Sequence, residues 1–169
     1  AFDMDVVFYD PYQPNGYQFA IGVRRADTLA ELMGQCDFVS IHTPLTAETR
    51  GLIGAEAFAT AKRGMILINT ARGPIVDEAA LIEALRARRI AAAGLDVFDV
   101  EPLPPGHPFK SLDNVILTPH CAGITPEVLE RIREPLFPTE RFGTGLGAPA
   151  LTRMTSQRAR RRAGASPPA

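Results

Sequence analysis

The sequence predicts an α/β protein built on a parallel, doubly wound sheet, and three observations carry that prediction. Short apolar runs recur through residues 1–133, and segments of helical period separate them. The runs also lack a strict in/out alternation, as expected of strands covered by helices on both faces.

Five runs read as strands: 5–9 (DVVFY), 36–41 (CDFVSI), 65–69 (MILIN), 91–97 (AAAGLDV) and 115–118 (VILT). Between the first two, Thr28 and Glu31 form a capping box that opens a short helix, with hydroxyl and carboxylate taking up orphan N–H groups. Residues 55–62 are rich in helix formers and stop at Gly64, a C-terminal cap. Asp77 caps a helix with Leu81, Ile82 and Leu85 on one face. Arg86, Arg88 and Arg89 lie near its C-terminal end, where the helix dipole favours cations. Thr125, Pro126 and Glu127 start another helix with proline in its first turn, ended by Pro135.

Beyond that point no period is sustained. Residues 134–169 are dense in Gly, Pro and Ala and hold six Arg against two Glu, so a divergent, disordered tail is expected after a folded unit at 1–133. Clustered Arg in "RARRRAG" can neutralise phosphates, but a solvated tail or an accidental reading-frame extension explains it as well, and no nucleic-acid partner is expected.

At 169 residues, 46% apolar and with a net charge of -1, the chain has enough apolar sequence for one real core and no bias toward polyanions. Cys36 and Cys121 are isolated, which fits a reducing cytoplasm better than a disulfide scaffold. His42, His107 and His120 have no metal-ligand spacing, so no metal site is expected. No apolar run approaches the roughly 20 residues that span a bilayer, so no membrane partner is expected either.

Candidate chemistry gathers at strand ends. Asp10 closes the first run in "VVFYDP"; in dinucleotide-binding folds an acid there accepts hydrogen bonds from the adenosine ribose, and the same Asp-Pro is an ordinary turn former. Arg72 follows the third run, at the edge where open α/β sheets place ligands, and its guanidinium can grip a carboxylate with two parallel bonds. Thr70 and Ala71 share that loop. Asp96 and Glu101 follow the fourth run and His120 the fifth, so one crevice can collect Arg72, Glu101 and His120. A histidine oriented by a carboxylate is a usable acid/base near neutral pH. His42 reads as a cofactor-edge or structural residue, and His107 as a loop residue.

Three motifs, "NTARGPIVDEAAL", "GLDVFDVEP" and "LDNVILTPHCAG", resemble the NAD-binding domain of the D-isomer-specific 2-hydroxyacid dehydrogenases over about residues 2–133. Phosphoglycerate, glycerate, formate and D-lactate dehydrogenases belong to that family. The stretch from "VVFYDPY" to "RRADTLAELM" is similar to members related to the C-terminal-binding-protein corepressors.

The resemblance implies a Rossmann-type sheet, NAD as cofactor and a small 2-hydroxy or 2-oxo acid as substrate. It implies Arg72 as the carboxylate clamp, His120 as the acid/base that takes the hydroxyl proton while hydride passes to NAD, and Glu101 as its paired acid. Cofactor contacts then fall to Asp10 on the ribose, to Thr70, Ala71, Arg72 and Asp96 on the nicotinamide side, and to the loop of His120, Ala122 and Gly123. Family members usually dimerise, so a homodimer is implied for a complete domain. Two other readings stay open: a corepressor-like module that senses NAD(H), and a non-functional gene remnant.

One family feature is missing from these residues. No GxGxxG precedes Asp10, so the sheet reads as lacking its first strand and glycine-rich loop. In the order 3-2-1-4-5-6, with the five runs taken as strands 2 to 6, that leaves DVVFY and MILIN without their shared neighbour. Two open apolar edges predict a fragment that is poorly stable and weakly active by itself.

Overall fold

The computed structural model describes residues 3–125 and the strand Met154–Ala159. In chain order the elements are β1 (Met4–Tyr9), α1 (Tyr17–Ile21), β2 (Arg24–Arg25), α2 (Leu29–Gln35), β3 (Phe38–Ile41), α3 (Ala55–Thr60) and β4 (Ile66–Asn69). Then come α4 (Glu78–Arg86), β5 (Ala92–Leu95), β6 (Val115–Leu117) and β7 (Met154–Ala159). They build a seven-stranded sheet in the order β2-β1-β7-β3-β4-β5-β6.

All five predicted strands form, four within their expected runs and β1 starting one residue earlier, at Met4. Pairing is parallel from β3 through β6, and Ile41, Asn69, Leu95 and Leu117 stand in one row across it. Equal register brings the following loops to a single edge of the sheet. The α/β, parallel-sheet prediction therefore holds.

α2 and α4 start at their predicted capping residues. The Thr28 hydroxyl accepts the Glu31 N–H at 3.1 Å, and the Glu31 carboxylate reaches back to the Asp27 N–H at 2.8 Å. Asp77 accepts the Ala80 N–H at 3.0 Å and so caps α4. Residue 61, not Gly64, closes α3; Gly64 instead takes φ +82° in the turn that enters β4. The helix expected from Thr125 to Pro135 lies outside the described residues apart from Thr125.

The core lies on one face of the sheet. Val39, Ile41, Leu67, Ala93 and Leu95 pack with Leu32 and Met33 of α2, Phe58 of α3, and Leu81 and Leu85 of α4. Burial alternates along β3, β4 and β5, with Phe38, Ser40, Ile66, Ile68, Ala92 and Gly94 only half-buried. Among the described residues β3, β4 and β5 are thus sealed on one face, where α2, α3 and α4 contribute to the same cluster, whereas on β1 both faces are covered, Val7 by that cluster and Phe8 by Tyr17 of α1.

Two differences correct the predicted sheet. The two-residue strand β2, too short and too polar to register as an apolar run, takes the outer place beside β1. It shifts the strand count by one, so the central gap lies between β1 and β3, not between DVVFY and MILIN; β4 is paired on both sides.

The second difference fills that gap. β7 runs antiparallel to both neighbours, pairing Met4 through Tyr9 on one side and Phe38 through Ile41 on the other. No strand is expected at Met154–Ala159, where the segment reads MTSQRA in a position that normally favours apolar β-formers. Backbone pairing, which needs no particular side chain, is what the slot demands: an open edge leaves buried N–H and C=O groups unpaired, at about 1–3 kcal/mol each.

Ser156 stands between Val7 and Val39 at the middle of both ladders. Ser156→Pro removes its N–H from the sheet, and ending the chain after residue 153 removes the strand. Against a net stability of roughly 5–15 kcal/mol, either change is expected to abolish the cooperative thermal transition seen by circular dichroism. Unchanged melting of both variants would show that the sheet does not depend on β7.

Candidate active site

The site begins with Asn69, the last residue of β4. Its side chain is 1% exposed. The amide oxygen accepts the Ala71 N–H at 3.0 Å, and the amide nitrogen donates to the Arg72 carbonyl at 3.0 Å. One buried amide thus folds the chain of Thr70, Ala71 and Arg72 into a tight loop at the sheet edge. Arg72 is exposed, and its guanidinium donates back to the Ala71 carbonyl at 2.6 Å.

Gly73 joins this loop to the next one. A Cβ at Gly73 would lie 2.1 Å from the Phe98 carbonyl carbon and 2.6 Å from the Asp99 nitrogen, so only glycine lets the two backbones touch. The loop bearing Arg72 and the loop bearing Glu101 are therefore in direct contact.

Asp96, the residue after β5, is 3% exposed. It accepts the Cys121 and Ala122 N–H groups, both at 2.9 Å, and the Thr118 hydroxyl. Burial pushes its carboxyl up, but the Thr118 hydroxyl and the two backbone N–H groups together outweigh burial and hold it below the usual carboxylate range. The expected nicotinamide-side contact is thus a side chain turned inward, committed to the loop that carries His120.

That loop needs holding. His120 has φ +53°, a left-handed conformation that a non-glycine residue adopts at a cost of about 1–3 kcal/mol unless its surroundings fix it. Asp96 binds the two N–H groups that follow His120 and the hydroxyl two residues before it.

The strained turn sets His120 against Glu101. Nδ1 of His120 lies 2.8 Å from Oε2 of Glu101, whose other oxygen accepts the Phe98 N–H at 3.0 Å. The hydrogen bond from His120, with that from Phe98, holds the Glu101 carboxyl below its usual range. An ionised carboxylate can only accept, so Nδ1 carries the proton and Nε2 is left free for a reacting group. Both side chains remain accessible, 49% for His120 and 36% for Glu101. They border a cavity of about 550 Å³ lined also by Phe98, Leu103, Lys110 and Thr118.

Of the three expected catalytic residues, Glu101 and His120 therefore meet directly. Arg72 stands on the adjoining loop, away from the lining of this cavity. Ala122 and Gly123 are exposed on the His120 loop, and Thr70 is exposed beside Arg72.

Asp10 is placed differently from expectation. It is fully buried, accepting the Tyr12 N–H at 3.0 Å and the Gln13 amide at 3.3 Å, with Arg25 donating to its backbone carbonyl at 3.1 Å. The turn-forming role of an Asp-Pro is the one present here. His42 is exposed at the end of β3 with Nε2 2.8 Å from the Ser40 hydroxyl. Among the described residues no group of His, Cys, Asp and Glu could hold a metal ion, and no helix is long and apolar enough to cross a membrane.

Sequence reasoning missed Asn69, Gly73 and Thr118. Their signals were present inside the motifs: an asparagine ending a buried strand, a glycine after the arginine, and a hydroxyl two residues before the histidine.

A mostly parallel sheet with a histidine–carboxylate contact past the C-terminal ends of its strands has the plan of a dinucleotide-binding fold. Residues 1–122 match the family described as "D-isomer specific 2-hydroxyacid dehydrogenase, NAD binding domain", and the chain belongs to that family. It is 46% identical over 127 residues to the D-3-phosphoglycerate dehydrogenase of Methanocaldococcus jannaschii, covering 75% of this chain and 24% of that protein. It is 44% identical over 134 residues to a glyoxylate reductase of Korarchaeum cryptofilum, covering 79% of this chain and 40% of that one. Among solved structures, D-lactate dehydrogenase with NAD+ from Lactobacillus jensenii matches with a TM-score of 0.61 and 38% identity, over 70% of this chain and 39% of the other. The chain thus spans about a quarter to two fifths of the length of these relatives.

Because Asp96 is ionised and bound in the folded state, its contribution is fully present above the unfolded-state pKa and is lost as pH falls through the lowered folded value. Asp96→Ala is expected to cost about 3 kcal/mol in urea unfolding at pH 7, with the gap to the parent protein narrowing in acid. A gap independent of pH would refute the charged, loop-holding role.

Proposed function

We propose that this chain is the cofactor-side part of an NAD-dependent oxidoreductase that moves hydride between NAD and the CH–OH carbon of a D-2-hydroxy acid. The observation that carries the reading is the 2.8 Å contact between His120 and Glu101 at the ligand edge of the sheet.

The nicotinamide end of NAD fits the loops that this edge collects. Thr70, Ala71, Arg72, His120, Ala122 and Gly123 would hold it, while Asp96 acts on it through the His120 loop. Asp10 would reach an adenosine ribose only with its turn opened, since both carboxylate oxygens are engaged there. When bound, NAD supplies the hydride acceptor.

The chain's own residues do the rest. His120 Nε2 takes the hydroxyl proton of the hydroxy acid and returns it in the reverse direction. Glu101 fixes the ring and stabilises the imidazolium so formed. Arg72, freed from the Ala71 carbonyl, pairs with the substrate carboxylate in two parallel bonds. Small 2-hydroxy and 2-oxo acids are the substrates this arrangement suits.

Purified chain incubated with NADH and a panel of 2-oxo acids tests the reading. Turnover is expected, His120→Ala is expected to lower kcat at least about 100-fold, and Arg72→Ala to act mainly through KM. Turnover indifferent to His120→Ala overturns the mechanism, and NADH binding without turnover by the unmodified chain favours a sensing module.

A further inference from the structure

Glu101 is delivered by the loop at residues 99–107, and that loop is held from outside the reacting pair. Glu78, in the first turn of α4, places one oxygen 2.9 Å from the Asp99 N–H and the other 3.2 Å from Nε2 of His107. A single carboxylate therefore binds both ends of the loop. Its side chain and that of His107 are each 17% exposed.

The far end is itself anchored. His107 Nδ1 accepts the Phe109 N–H at 3.3 Å, which puts the ring proton on Nε2, facing Glu78. Phe109 is 1% exposed, so this end of the loop is tied to the core. The near end is tied just as firmly. The consecutive N–H groups of Phe98 and Asp99 go to Glu101 and Glu78 respectively, and Gly73 packs against the peptide between them.

We propose that Glu78 is a positioning residue for the Glu101 and His120 pair: by clamping both ends of loop 99–107 it fixes where the Glu101 carboxylate meets the imidazole. The inference rests on the assignment of that pair as the reacting groups. A merely structural Glu78 would stabilise α4 or the loop without altering the contact between Glu101 and His120.

The clamp has a readout that needs no turnover. Glu101 titrates below its usual range chiefly because His120 donates to it, with Asp96 as the nearby like charge opposing that effect. Around Glu78 the charged and titratable groups are Arg50, Asp77, Asp99 and His107. Burial and then Glu78 itself push the Asp99 carboxyl upward.

The experiment follows side-chain carboxyl carbons by NMR through an acid titration of the full chain, with Glu101→Gln assigning the Glu101 signal. In Glu78→Ala the Glu101 midpoint is expected to rise toward the ordinary glutamic acid value. In Asp77→Ala, which loses the α4 cap but not the clamp, the Glu101 midpoint stays low. Glu78→Gln keeps the packing and one acceptor, and should shift Glu101 the same way by less; it decides the matter if the alanine variant does not fold. A folded Glu78 variant with the Glu101 midpoint unmoved overturns the proposal, as does an equal rise in Asp77→Ala. The hydride-transfer assay can fail while this titration holds, and the reverse, so the two readings fail separately.

Discussion

The placement of His120 depends on the buried carboxylate of Asp96. A charge placed there must be satisfied, and its surroundings offer three donors, all from residues 118–122. Meeting that requirement winds the chain after β6 into a turn that His120 enters with a left-handed backbone. The strain at His120 and the desolvation of Asp96 are offset by the same three hydrogen bonds, which makes the histidine's position a consequence of electrostatics. Glu101, two residues beyond the Asp99 N–H that Glu78 holds, then has only to meet a ring that is already placed.

The sheet shows a different kind of constraint. Parallel strands with their C-terminal ends in one row bring the site together, but the row is continuous only if the place between β1 and β3 is occupied. β7 occupies it in the opposite direction, joining the half that carries Asp10 to the half that carries Asn69, Asp96 and His120. An antiparallel strand supplies the same ladder of N–H and C=O groups as a parallel one, with stronger pairing per residue. What a reversed strand does not bring to the ligand edge is a strand-to-helix turn of the kind that ordinarily receives a pyrophosphate.

Much of this was legible in the residues. The runs DVVFY, CDFVSI, MILIN, AAAGLDV and VILT became strands because their burial is set by composition over several positions, and Thr28 and Asp77 capped their helices because capping is local chemistry. The pairing of Glu101 with His120 followed from both lying past the ends of neighbouring strands. Illegible were the features decided by long-range pairing. β2 has two residues and no apolar signal, and MTSQRA in β7 carries nothing that marks a strand except the vacancy it fills. The inward turn of Asp96, the engagement of Asp10 by its own turn, and the use of Glu78 and His107 as a clamp all depend on which N–H groups tertiary packing brings near. Gly73 was visible as a glycine, but its reason, the backbone of Phe98, lies 25 residues away in sequence.

An ionised Glu101 fixes the His120 ring so that Nδ1 bears the proton and Nε2 is left free. Long-range 1H–15N spectra of the histidine side chains, recorded where His120 is neutral, measure this directly. The Nδ1–H tautomer is expected for His120, reverting to the Nε2–H form in Glu101→Ala, which removes the acceptor. An Nε2–H tautomer in the unmodified chain would contradict it.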